Sequence, residues 1–273
     1  MDLRPKPSRR IGTLVRVILF CLFCAIILAI YSRLTQSIPK PWSEDLTIVL
    51  AVVTSFGLTL LFLRWEGLDL ADVGLMPGQQ TIPRICIGFA IGLLLASLQA
   101  LPLLLFGHIK LALYPNVNFQ FIFSSFLLYS LLACREELVF HGYALRTLDY
   151  KLGNWPALLI TGIIFALEHV AGGMTWSVAF LGAGTGSILF GLAALKTKGI
   201  ALPIGLHAAW NFGQRAFGFK HVPGIWEATI EKGYENQLDN IGLISYLLVM
   251  VLAILVFYYY KFSHSVNNSQ NHP

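Results

Sequence analysis

Residues 119–146 read FQFIFSSFLLYSLLACREELVFHGYALR. The segment 119–134 suits the interior of a bilayer, after which Arg135, Glu136 and Glu137 interrupt it. Leu138, Val139, Phe140, Tyr143, Ala144 and Leu145 then continue the apolar character for another two or three turns at roughly 3.6 residues each. On insertion scales a charge at the bilayer centre costs roughly 2.5–3.5 kcal/mol. One reading ends the span at Cys134 and lets the triplet snorkel to the cytosolic interface. The apolar continuation argues against that ending and for charges held inside the membrane for a function.

The rest of the chain has the same character. Of 273 residues, 56% are hydrophobic and 12% charged, against about 25% charged in an ordinary soluble domain. The apolar residues come in long runs rather than at the alternating or helical period of a soluble fold. Runs able to cross about 30 Å of hydrocarbon fall at 14–32, 46–64, 83–106, 119–146, 155–170, 176–195, 199–215 and 241–262. They predict an all-α fold, a polytopic membrane helix bundle of about eight transmembrane helices. Ile38-Pro39-Lys40-Pro41, Met76-Pro77-Gly78, Gly153-Asn154-Trp155-Pro156 and Ala171-Gly172-Gly173 separate the runs. The expected organisation is a basic cytosolic stub at 1–16, a single transmembrane helical domain at 17–262 and a disordered tail at 263–273.

The net charge of +5 does not point to nucleic acid, because Arg4, Lys6, Arg9, Arg10 and Arg16 are concentrated before the first run. That run could be the core of a signal peptide, but no small-residue cleavage site follows it, and a retained span is the better reading. Arg64 with Arg84, Arg146 with Lys151, Lys196 with Lys198, and Lys261 recur at alternate connectors. By the positive-inside rule both termini are cytosolic, the 217–240 loop lies outside the cytosol, and the setting is an integral protein of a bacterial-type plasma membrane. Cys21, Cys24, Cys86 and Cys134 all lie in apolar runs, so no disulfide is expected, and the spacing of Cys21 and Cys24 reads as chance.

Two further runs carry polar residues. Glu168 and His169 follow Phe165 by about one helical turn, and His207 and Asn211 are spaced to share a helix face. A lone histidine in a membrane helix is commonly an interhelical hydrogen bonder. Two carboxylates, two histidines and a carboxamide on the fourth, fifth and seventh helices form a more specific set. Glu136 is a candidate base for a water molecule, and His169 and His207 could orient that water or hold a metal that acidifies it. Asn211 can donate to a tetrahedral oxyanion without adding charge.

Glu136-Glu137-Leu138-Val139-Phe140-His141, Phe165-Ala166-Leu167-Glu168-His169 and His207-Ala208-Ala209-Trp210-Asn211 stand in order on separate helices. This pattern resembles the CAAX-protease and bacteriocin-processing (CPBP, Abi) family of intramembrane proteases, whose core would occupy about 119–215. Asp69-Leu70-Ala71-Asp72-Val73-Gly74-Leu75 is also similar to a connector of that family. The resemblance implies a site of Glu136, Glu137, His169, His207 and Asn211, supported by His141 and Phe165. It implies hydrolysis of a peptide bond in a polypeptide or a lipidated, prenylated C-terminal peptide, among membrane lipid and with access from the cytosolic side. Glu136 would activate water held by His169 and His207. A divalent metal ion, zinc foremost, would sit on those two histidines if one is bound.

One position departs from the family pattern. His141 stands where the family has an arginine that pairs with the second glutamate. Histidine reaches the same partner with fewer donors and titrates near neutral pH. This departure leaves two alternatives open: a non-catalytic family member acting as a membrane scaffold or immunity factor, and a proton-coupled transporter using buried Glu and His as a relay. A further requirement is geometric. Glu136 and His169 can share a water only if the fourth helix carries its carboxylates well below the cytosolic surface, or the fifth begins later and tilts.

Overall fold

The computed structural model describes residues 10–40, 42–220 and 224–260. The tail at 263–273, Lys261, and the part of the basic stub before Arg10 lie outside the described residues. Three long apolar helices come first: α1 (Arg10–Thr35), α2 (Trp42–Glu66) and α3 (Thr81–Phe106). α4 (Phe119–Glu136) starts at Asn118, whose side-chain oxygen accepts from Phe121 N–H at 2.9 Å and so caps the first turn. The helix then continues through π-helical turns at Glu137–Ala144 into α5 (Leu145–Leu152).

Gly153, with φ of +84°, turns the chain back at a backbone conformation that side chains with a Cβ disfavour. α6 (Asn154–Ala171) follows, with Pro156 in its first turn, where a missing N–H leaves no helical bond unmade. A second set of π turns at Val178–Gly184 leads into α7 (Thr185–Thr197). α8 (Ala201–Ala216) and α9 (Glu235–Tyr259) complete the bundle.

Each expected apolar run is thus helical, with its ends shifted by several residues. Among the described residues six helices are long and apolar enough to cross a membrane: 11–35, α2, α3, α6, Val178–Thr197 and α9. The stretch carrying Arg135, Glu136 and Glu137 is not one of them, and neither is the shorter α8, which includes His207, Asn211, Gln214 and Arg215. The protein is therefore a polytopic helical membrane protein. The all-α expectation needs one correction, because the 107–118 connector and the loop after α8 contribute β1 (Ile109–Leu113) and β2 (Trp226–Ile230). They pair antiparallel, Ile109 with Ile230 and Leu113 with Trp226. In connectors too polar to enter lipid, pairing satisfies backbone groups that no helix ladder serves.

Two apolar clusters hold the helices together. In one, Phe20 of α1, Phe62 of α2 and Tyr143 of the first π segment form an aromatic triangle with centroids 4.5–5.7 Å apart. The other joins α3, α7, α8 and α9 around Leu189, Leu206, Trp210 and Met250. The most extensive helix pair is α3 with α8. A Cβ on Gly88 or Gly92 would run into the carbonyl oxygens of Leu202 or Leu206, and one on Gly205 into the oxygen of Ile85. Without a solvent-driven hydrophobic force between helices in lipid, close backbone approach across small residues is what tightens such a pair.

Polar contacts tie together one end of the bundle. Arg84 donates to Thr197 O at 2.8 Å, Arg146 to Ala194 O at 2.6 Å and Tyr150 OH to Asp72 O at 2.6 Å. Gly74 lies so close to Gly199 that a Cβ would sit 2.7 Å from its Cα. The connector 67–80 is thereby clamped to the α7–α8 turn. Gly205→Leu is expected to force α3 from α8 and lower stability by about 3 kcal/mol. Thermal unfolding in detergent micelles measures this, and an unchanged midpoint would show that the pair tolerates separation.

Candidate active site

The hairpin of α4–α5 against α6 bears on whether Glu136 and His169 can share a water. Glu136 lies sixteen residues before Leu152 and His169 fifteen after Asn154, so each is about 22–24 Å from the Gly153 turn at 1.5 Å per residue. Glu136 therefore stands level with His169. Its neighbours fix that register: the guanidinium of Arg135, fully buried, pairs with both carboxylate oxygens of Glu168, Nη2 to Oε2 at 3.2 Å. Two parallel N–H···O bonds set direction as well as distance. Glu168, which the sequence places on another helix face from His169, is thus an interhelical partner.

The π turns supply the next layer. Glu137 is fully buried and spends one oxygen on each of two histidines: Oε2 lies 2.7 Å from His141 Nδ1, and Oε1 lies 2.8 Å from His207 Nδ1. His141 extends the chain through Nε2 to Ser187 Oγ at 3.0 Å. With Nδ1 of His207 donating to this carboxylate, Nε2 is directed at Glu136, 3.5 Å from Oε2. That separation is too long for a direct hydrogen bond. His169 is oriented similarly by its own helix, Nδ1 to Phe165 O at 2.9 Å, which leaves its Nε2 free.

Aromatic rings set the positions of both imidazoles. Phe190 stacks on His207 with centroids 4.3 Å apart and planes at 17°. Phe165 lies 4.4 Å from His169 and packs edge-on against Phe140 at 4.9 Å.

Glu136, Phe165, His169, His207 and Asn211 line one cavity of about 1000 Å³. It has room for roughly thirty waters at about 30 Å³ each. Glu137 and His141 do not line it; they stand behind the wall and hold His207. The structure therefore brings the three motifs together but divides them into a face and a support.

The sequence reading missed Lys220. It lies past the end of α8, outside the spans, yet reaches into the same cavity, where Nζ donates to Asn211 Oδ1 at 2.8 Å and sits 5.0 Å from the Tyr129 ring centroid. Burial pushes its ammonium down to about 8, against the upward pull of the Glu136 carboxylate. Because Lys220 occupies Oδ1, the carboxamide NH₂ of Asn211 is the group left for other partners. Phe190 and Ser187 were missed too: apolar context and an isolated hydroxyl carry no spacing signal.

Among the described residues no three His, Cys, Asp or Glu side chains lie close enough together to hold a metal ion. Catalytic zinc ordinarily takes three protein ligands. His169 and His207, with Glu136, do not make such a set.

Residues 118–213 match the family described as Type II CAAX prenyl endopeptidase Rce1-like. The match takes in all three motifs and runs from the cap of α4 into α8, leaving the 69–75 connector outside. No curated protein matches the chain at a significant level.

Glu168→Ala would strand the Arg135 charge inside the bundle, with an expected loss of about 3–5 kcal/mol. Arg135→Met combined with Glu168→Leu, which removes both charges, should recover most of it. Unfolding midpoints of the three proteins provide the measurement, and equal midpoints would mean that the pair does not fix the hairpin.

Proposed function

Because residues 118–213 match the Rce1-like family of type II CAAX prenyl endopeptidases, we propose that the protein hydrolyses a peptide bond of a polypeptide substrate within its intramembrane cavity. A prenylated C-terminal peptide is the narrower form of this reading. The observation that carries it is the pairing of Glu136 Oε2 with His207 Nε2 across 3.5 Å at the wall of the cavity. One water molecule can lie against both atoms, giving one hydrogen to the carboxylate and the other to the imidazole nitrogen.

The steps follow from that placement. Glu136 removes a proton as the water oxygen attacks the scissile carbonyl, and His207, held by Glu137, keeps the water aimed. His169 presents its free Nε2 to the same cavity. The carbonyl oxygen becomes an oxyanion, towards which Asn211 directs an N–H because Lys220 holds its Oδ1. Collapse of the tetrahedral adduct breaks the C–N bond, and Glu136 returns its proton to the leaving amine. Phe165 and Phe190 limit imidazole rotation. His141 anchors Glu137 in the place of the family arginine, using Ser187 as its second partner. That substitute anchoring favours catalysis over a scaffold or immunity role, and nothing in the geometry favours a transporter.

Purified protein in proteoliposomes, supplied with a peptide library, tests this reading. Glu136→Gln should lower kcat by about 10²–10⁴, the usual contribution of a positioned base. Asn211→Ala should cost about 10²–10³ through the oxyanion. Cleavage by Glu136→Gln at the wild-type rate would overturn the assignment. Lys220→Met, which frees Asn211 to rotate, should lower kcat by about tenfold, roughly 1.4 kcal/mol, with little change in KM. An equal rise in KM instead would make Lys220 a substrate contact.

A further inference from the structure

The cavity reaches one end of the bundle: residues 218–220, 227, 228 and 230 line it, and none of the connectors 67–80, 144–154 and 197–201 does. At its inner end it stops at Leu132, Glu136, Phe165, Phe190 and His207. Beyond them the core around Val73, Tyr143, Leu145, Leu148 and Leu158 is fully or almost fully buried. The contacts Arg84 to Thr197, Arg146 to Ala194 and Tyr150 to Asp72 close that end. At the other end the lining comes from the β ribbon and the start of α9, where Glu227, Asp239 and Asn240 stand among Ile109, Ile230 and Leu238. Peptide reaching Glu136 must pass this end.

The two ends differ in charge. The connectors of the closed end are flanked by Arg64, Arg84, Arg146, Lys151, Lys196 and Lys198, and α1 adds Arg16 near its start there. The open end has Arg33, Lys40, Lys110 and Lys232 at its connectors, while Arg215 and Lys220 pack on the rings of Phe121 and Tyr129. Lys and Arg near span ends are retained on the cytosolic side. The closed end is then cytosolic and the open end is not.

We infer that the substrate enters from the non-cytosolic face, as a polypeptide segment already on that side of the membrane, and not as a prenylated cytosolic tail. The inference rests on the hydrolytic reading for what happens inside the cavity, but the entrance itself depends only on the fold and the charge bias. It reverses the cytosolic access expected from sequence, since the charge pattern orients the helices but says nothing of which end the cavity meets.

The test uses the full chain expressed in bacterial cells, with Cys86, the exposed native thiol, replaced by Ser. Asn240→Cys at the rim and Gln79→Cys in the closed-end connector are each treated with a membrane-impermeant maleimide. In spheroplasts Asn240→Cys should label and Gln79→Cys should not; in inside-out vesicles the pattern should invert. Labelling of Asn240→Cys from the cytosolic side alone would overturn the inference, whether or not the protein cleaves anything.

A second arm fuses a cleavable segment to either face of a single-span anchor. Wild type should cut the non-cytosolic fusion at least tenfold faster, and Glu136→Gln should cut neither. Preferential cutting of the cytosolic fusion would overturn the entrance. No cutting of either, with the expected labelling, would overturn the hydrolytic reading and leave the entrance standing.

Discussion

Glu137 makes no contact with the cavity, yet the geometry of the cavity wall depends on it. Its two oxygens hold His141 and His207, one from its own helix and one from α8. A buried carboxylate without such partners would be very costly in a medium of low dielectric, so each donor keeps the charge in place and is kept in place by it. The direction of His207 Nε2 follows from this arrangement, and through it the position of any water beside Glu136. The Arg135–Glu168 pair does the corresponding work between α4 and α6. Each of the two visible groups, Glu136 and His169, is thus adjacent in sequence to a residue that locks its helix.

Much of this was legible in the sequence because lipid imposes simple rules. Long runs of Leu, Ile, Val and Phe must become helices, since unpaired backbone groups cannot remain in hydrocarbon. The charged interruption at 135–137 could then be recognised as a site, and the spacing of His207 and Asn211 as one helix face. The His141–Glu137 contact was also expected from their spacing of four. The match of 118–213 to the Rce1-like family was foreshadowed by the order of three motifs that each mean little alone.

What escaped the sequence has physical reasons. The division of labour between Glu136 and Glu137 depends on π turns, which widen the helix locally and have no residue signature in 137–144. The depth of Glu136 depends on where the α4–α5 hairpin turns, and only the three-dimensional register of Arg135 with Glu168 fixes that. Lys220 follows Phe217, Gly218 and Phe219 in a loop, where no helical period marks it as facing inward. β1 and β2 are five residues each and gain their order from one another across more than a hundred positions of sequence, beyond the reach of any local pattern.

The sealed inner half of the bundle has an electrical consequence. A water-filled space that extends deep into a bilayer would ordinarily be a path for ions. Here the packed layer from Val73 to Leu158 remains as insulation, so the membrane voltage falls across that layer and hardly at all along the wet half. A charge crossing the full bilayer exchanges about 2.3 kcal/mol per 100 mV, but a proton moving between the cavity mouth and Glu136 crosses little of that drop. The carboxylate is therefore in electrical contact with the compartment at the cavity's mouth.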